Sequence, residues 1–170
     1  RSSDLSFGKN KERFDVKIAV MNFSGNVGKT TIAAHLLKPR MPNARIYSVE
    51  SINAGADASG VEVEKLRGKK FGSMIDAIMM LDDAVIDVGA SNVEDFMKMM
   101  QQYDGSHEEI DIFVVPTVKE KKVQADTVNT VRALRALNIP AKKIRIVFNK
   151  LDVEESPSEE FPSIYGLASG

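Results

Sequence analysis

Hydrophobic and polar positions fall into two kinds of block along this chain. Short apolar runs rich in β-branched residues recur at VKIAVMNF (16–23), ARIYSVE (44–50), AVIDVG (84–89), IDIFVVPT (110–117) and KIRIVFN (143–149), which predicts strands buried on both faces. Between the runs, apolar residues return at helical spacing. Phe71, Met74, Ile75, Ile78 and Met79 form one stripe, Val93, Phe96, Met97 and Met100 a second, and Val123, Thr127, Val131 and Leu134 a third that ends near Asn138. TTIAAHLL, after the first run, reads as a further helix stopped near Lys38 by Pro39 and Pro42. Strands alternating with helices predict an α/β fold, a mainly parallel sheet of at least five strands covered by helices on both faces. In such sheets ligands bind beyond the carboxyl ends of the strands, so the residues just after each apolar run are the candidates for chemistry.

The periodic text occupies 16–152, which is expected to form one domain. Residues 1–15, RSSDLSFGKNKERFD, are polar and aperiodic and read as a flexible N-terminal segment. Ser51 to Gly60 reads as a loop, and the acidic, Pro/Ser-rich C-terminal segment 153–170 as a loop or a truncated end.

Composition narrows the function classes. Lys plus Arg number 23 against 24 Asp plus Glu, a net charge of -1, so no whole-molecule field draws the chain to nucleic acid or anionic lipid. The chain has no cysteine, which excludes disulfides, thiolate catalysis and Cys-based zinc sites, and its two isolated histidines argue against a His-rich metal centre. No apolar run approaches the roughly 20 residues needed to span a bilayer, and the N-terminal stretch lacks the apolar centre of a signal peptide. A cytoplasmic setting without membrane attachment is expected.

The first strand is followed by Ser24-Gly25-Asn26-Val27-Gly28-Lys29-Thr30-Thr31. Consecutive amides of such a loop at a helix N-terminus make an anion cradle, Lys29 adds a point charge for β- and γ-phosphates, and Thr30 can offer its hydroxyl to Mg²⁺. The strict GxxxxGK[ST] pattern is broken, because Phe23 holds the first Gly position. The third strand carries Asp87, whose carboxylate can hold Mg²⁺ directly or through water, or can instead cap the next helix; Gly89, just beyond, would let the backbone approach a γ-phosphate. After the fifth strand, Asn149-Lys150-Leu151-Asp152 matches the NKxD pattern that reads guanine through a carboxylate; Asp152 is equally the opening of an acidic loop.

The stretch Phe23 to Thr31 resembles the deviant Walker A loop, KGGxGKT, of the ParA/MinD class of P-loop ATPases, and NFSGNVGKTTIAAHLL is most similar to StbB-type plasmid stability proteins. The resemblance extends from about Val16 to Asp152. It implies a P-loop nucleotide-binding domain in which Gly25, Asn26, Val27, Gly28 and Lys29 contact phosphate, Thr30 contacts Mg²⁺ and Thr31 the α-phosphate, with AVIDVG as Walker B and a switch segment. It also implies adenine recognition at Asn149, and it places Glu50 at the first acidic position of a DxD switch, where Glu50 either binds Mg²⁺ through water or simply ends a strand. Two departures stand out: Ser24 occupies the place of the lysine that reaches the partner subunit's phosphates, and Ile52 that of the second switch carboxylate.

The expected function is therefore an ATP-Mg²⁺ switch with slow hydrolysis, acting in plasmid stability, partition or DNA positioning. Lys29 and Asp87 are its central residues. A GTPase reading guanine through Asp152 and a non-hydrolysing nucleotide-binding interaction module are the alternatives. Expected partners are a second copy in a nucleotide-dependent homodimer, and DNA, through a partner protein or through a basic patch of Arg132, Arg135, Lys142, Lys143 and Arg145 that otherwise reads as a solvated face. The methionines between Met74 and Met100 read as adaptable packing on the sheet, and His35 and His107 receive no role.

Overall fold

The structure is a computed structural model that describes residues 15–49 and 60–168, with side chains for all of these except 60–69 and 168. β1 (Lys17–Val20) leads through a loop into α1 (Lys29–Thr31), which continues as a π-helix over Ile32–Leu37. β2 (Arg45–Ser48), α2 (Gly60–Met79) and β3 (Ala84–Asp87) follow, then a 3₁₀ turn (Ala90–Asn92) into α3 (Val93–Gln102). β4 (Ile112–Thr117), α4 (Lys121–Ala136), β5 (Ile144–Phe148), α5 (Pro157–Glu160) and α6 (Pro162–Ala168) complete the order.

The strands form one parallel sheet in the order β2-β3-β1-β4-β5. From central β1 the chain goes to the edge at β2, returns to β3 beside β1 and then crosses to β4 and β5 on the other side, so the crevice at the carboxyl end of β1 is the topological switch point. Register makes that end level: Val20 pairs with both Asp87 and Val114, and Ser48 with Asp87.

Alternation along β1 divides the core. Ala19 and Met21 face a large cluster with Phe71, Ile78, Phe96 and Leu134 of α2, α3 and α4, while Ile18 and Val20 face a smaller one with Ile32 and Ala33 of α1. The α3 stripe Val93, Phe96, Met97 and Met100 is buried as predicted. In α2, Phe71, Ile75 and Ile78 are buried whereas Met79 turns to solvent, 53% exposed beside Met80 at 85%. Strands are shorter than the apolar runs; Met21 N–H still donates to Val114 O, and Asn22 and Phe23 leave the sheet to begin the loop. In α1, Lys38 N–H donates to Ala33 O at 3.0 Å, an i to i−5 bond that widens the predicted helix.

The acidic tail corrects the reading of 153–170 as a loop. Both of its short helices begin with proline, which is pre-organised for a first helical turn, and Phe161 and Ile164 are 0% and 2% exposed. Phe161 and Tyr165 pack on Phe148 of β5 with ring centroids 4.5 and 5.7 Å apart, so three aromatics outweigh the polar composition. Among the described residues, no helix is long and apolar enough to cross a membrane.

Candidate functional site

The loop between β1 and α1 is shaped by two residues in the left-handed region, Asn26 at φ 58° and Gly28 at φ 87°. Asn tolerates this conformation better than most side chains, so it can stand where the resemblance has a glycine. Gly28 is required for a second reason, since a Cβ there would lie 2.4 Å from Asn149 Nδ2. That amide donates to Val27 O at 3.0 Å, and Lys150 Nζ donates to Asn26 O at 3.1 Å. The loop after β5 thus holds two successive carbonyls of the loop after β1. Trans peptides place each N–H opposite its carbonyl, so the N–H groups of Val27 and Gly28 point away from Asn149 and Lys150, as an anion cradle needs.

Lys29 is buried, and its Nζ donates to Ser24 O at 2.7 Å. This bond orients the head group. Thr30 Oγ1 donates to Asp87 Oδ2 at 2.7 Å, which joins the loop to the end of β3. The expectation that Asp87 caps the next helix does not hold: the 3₁₀ turn starts from Gly89, α3 from Asn92, and neither has a side-chain cap. Gly25 faces that turn, with a Cβ built on it 3.9 Å from Ala90 Cβ, and Thr31 is exposed on the first turn of α1.

Lys29, Thr30, Asp87, Asn149 and the Gly25 to Gly28 backbone are therefore brought together. Glu50 and Ile52 lie outside the described residues. Asp152 is exposed, and its N–H donates to Glu155 Oε2 at 3.0 Å in a turn closed by Glu155 N–H on Asp152 O. Lys119 Nζ clips the turn through Glu155 Oε1 at 2.5 Å. The hydrogen bond to Lys119, followed by the backbone bond from Asp152, holds the Glu155 carboxyl below its usual value, and the hydrogen bond to Glu155 raises Lys119.

Sequence reading missed how the loop is anchored. Asn22 is fully buried, with Nδ2 donating to Pro116 O and Thr127 Oγ1 at 2.8 Å each, while its Oδ1 accepts Ser24 N–H at 2.8 Å. Phe23 N–H donates to Thr130 Oγ1 at 3.2 Å, and Ser24 Oγ donates to Asp126. The available signal was in α4, whose buried positions are Gln124, Thr127, Thr130 and Leu134, a largely polar stripe where an apolar one is expected.

The residues present suit a magnesium nucleotide. Among the described residues no cluster of three or more His, Asp or Glu side chains could hold a metal by itself. Mg²⁺ commonly takes one or two carboxylates together with substrate phosphates and water, and one hydroxyl with one carboxylate at the mouth of an anion cradle is that kind of donor set. Away from this site, an apolar groove of about 820 Å³ lies between α4, β5 and α6, with Arg132, Arg135 and Arg145 among its lining residues. Two of these arginines are committed to main chain, Arg135 to Ile139 O and Arg145 to the carbonyls of Lys142 and Ile144.

No protein-family model and no curated protein sequence matches the chain. Solved structures do. A Borrelia burgdorferi B31 protein assigned to plasmid partition and bound to AMPPNP aligns with a TM-score of 0.56 at 12% identity, over 91% of this chain and 82% of that one. Thymidylate kinase from Ehrlichia chaffeensis aligns with a TM-score of 0.51 at 13% identity, over 90% of this chain and 98% of that one. The chain has the α/β fold of P-loop nucleotide-binding proteins.

Proposed function

We propose that this chain is a nucleotide-dependent switch that binds ATP with Mg²⁺ and hydrolyses it slowly, in plasmid stability, partition or DNA positioning. The observation that carries the reading is the contact of Thr30 with Asp87, next to Lys29 in a loop whose Asn26 and Val27 carbonyls are held by the segment after β5. Thr30 and Asp87 would hold the metal, Lys29 and the amides of Gly25 to Gly28 the phosphates, with Thr31 toward the α-phosphate and Gly89 toward the γ-phosphate. Bound Mg²⁺ would supply charge neutralisation at the β- and γ-oxygens. The AMPPNP-bound plasmid partition protein of similar fold supports both the adenine base and the cellular role.

Slow turnover follows from Ser24. Its hydroxyl is neutral and tied to Asp126, so it brings no positive charge to a partner's phosphates, while charge supplied in trans contributes about 10³-fold or more in phosphoryl transfer. The homodimer proposed from the family resemblance would then rest on contacts other than that lysine. DNA would be reached through a partner protein or through the arginines around the α4 to α6 groove, of which Arg132 is exposed.

A second reading, GTP in place of ATP, is favoured by one observation: Asn149 and Lys150 of the NKxD stretch both engage the phosphate loop, which ties the segment carrying Asp152 to the nucleotide crevice. Titration with ATP, ADP, GTP and GDP in the presence of Mg²⁺ decides between them. GTP binding at least tenfold tighter than ATP, abolished by Asp152→Asn, would replace the ATP reading. In either case Lys29→Ala is expected to weaken triphosphate binding by about ten- to a hundredfold, the roughly 1.5 to 3 kcal/mol of a charge-assisted contact. Unchanged affinity would remove the phosphate-loop assignment. Single-turnover product formation separates a slow enzyme from a non-hydrolysing binding module.

A further inference from the structure

Three consecutive residues at the start of the phosphate loop each bond to a different side chain of α4. Asn22 meets Thr127, Phe23 meets Thr130 through its N–H, and Ser24 meets Asp126 through its hydroxyl. Positions 126, 127 and 130 lie on one face of a helix, so α4 presents them as a single row. Thr127 and Thr130 are fully buried, and each also bonds to the carbonyl four residues earlier on α4, which fixes its hydroxyl. Asp126 differs from them. It is half-buried, it carries charge, and its acceptor oxygen receives the one side chain of the three whose own carbonyl holds Lys29.

We infer that Asp126 is a positioning residue for nucleotide binding: by holding the Ser24 hydroxyl it fixes the Ser24 carbonyl, and that carbonyl aims the Lys29 ammonium. The inference rests on the nucleotide reading of the loop. The chain of contacts is short. A carboxylate acceptor makes a stronger bond to a hydroxyl than a neutral one does, and it leaves Ser24 one orientation about its side-chain torsion. The backbone at Ser24 is held from the other side as well, since its N–H donates to Asn22 Oδ1. With both ends fixed, the carbonyl is a stationary acceptor 2.7 Å from Lys29 Nζ. Held by this bond, the ammonium has a defined direction rather than a rotating average. A lysine arriving at phosphate already oriented loses less side-chain entropy on binding.

The test uses the full chain with ATP and Mg²⁺ as the probe, comparing wild type, Asp126→Ala, Asp126→Asn and Lys29→Ala. Asp126→Ala is expected to weaken binding by about two- to tenfold, the range of one ordinary hydrogen bond. Asp126→Asn retains an acceptor for Ser24 and is expected to stay within about twofold of wild type. A second readout needs no nucleotide: amine-reactive labelling followed by peptide mass spectrometry should modify Lys29 faster in Asp126→Ala than in wild type or Asp126→Asn. Wild-type-like binding and labelling in Asp126→Ala would overturn the inference while leaving the nucleotide reading intact. Equal loss in both Asp126 variants would also overturn it, because an acceptor kept in place for Ser24 would then restore nothing. A wild type that binds nucleotide no better than Lys29→Ala would overturn the nucleotide reading itself, and the inference with it.

Discussion

Gly28 meets two demands that no other residue satisfies together. Its φ of 87° costs an L-residue roughly 1 to 2 kcal/mol, and the space where a Cβ would stand is taken by Asn149 Nδ2. Gly28→Ala is therefore expected to lower stability by about 2 kcal/mol or more in urea unfolding. The cost should shrink in an Asn149→Ala background, where the steric part is gone; a purely additive double-mutant cycle would show that the close approach carries no energy. Asp87→Asn keeps the shape that accepts the Thr30 hydroxyl but removes charge, so nucleotide binding should survive while its dependence on Mg²⁺ weakens. Identical Mg²⁺ coupling would argue against Asp87 as a ligand. That Lys29, Thr30 and Asp87 come together was legible in the sequence because each sits at a fixed offset from a strand end. Asn22 and Asp126 were not, because an Asn within an apolar run and an Asp on a helix acquire meaning only once α4 is laid beside the loop.

At the scale of elements, hydrophobic period located the five described strands and a helical stretch after each of the first four, but not where each one starts or stops: α2 begins at Gly60, well before the stripe that opens at Phe71. Strand ends are set by pairing with neighbours, which is why VKIAVMNF supplies only Lys17–Val20 to the sheet. Period also misjudged α4, where Val123 and Val131 are half-buried while Thr127 and Thr130 face the loop they hold. The tail was hidden by composition, since Glu, Ser and Pro surround the two apolar side chains that decide its fate. Phe161 is fully buried against Phe148, and Gln124 Nε2 donates to Glu160 O at 2.7 Å, so α4 is bound to this segment as well as to the loop after β1. Phe161→Ala is expected to cost about 3 to 5 kcal/mol in urea unfolding. A change within about 0.5 kcal/mol, the usual range for a surface position, would return the tail to the loop first expected.

For the molecule as a whole, the sheet order places the crevice beside β1, and the residues that line it come from segments far apart in the chain. Thr30 reaches Asp87 across 57 residues, Ser24 reaches Asp126 across 102, and Asn149 reaches Val27 across 122. Separation of that size has a meaning in time. Helical turns close within microseconds or less, whereas contacts between distant segments wait for the chain ends to be brought together. The loop between β1 and α1 is among the first structural segments of the sequence, yet its final shape depends on the last strand, since the side chains that grip Asn26 and Val27 follow β5. During refolding, far-UV circular dichroism should recover before the chain can retain a fluorescent ATP analogue. Nucleotide added early should leave the first phase unchanged and stabilise only the completed product, by an amount set by its concentration relative to Kd. Capture of the analogue at the rate of helix formation would mean that the loop takes its shape without the far side of the sheet.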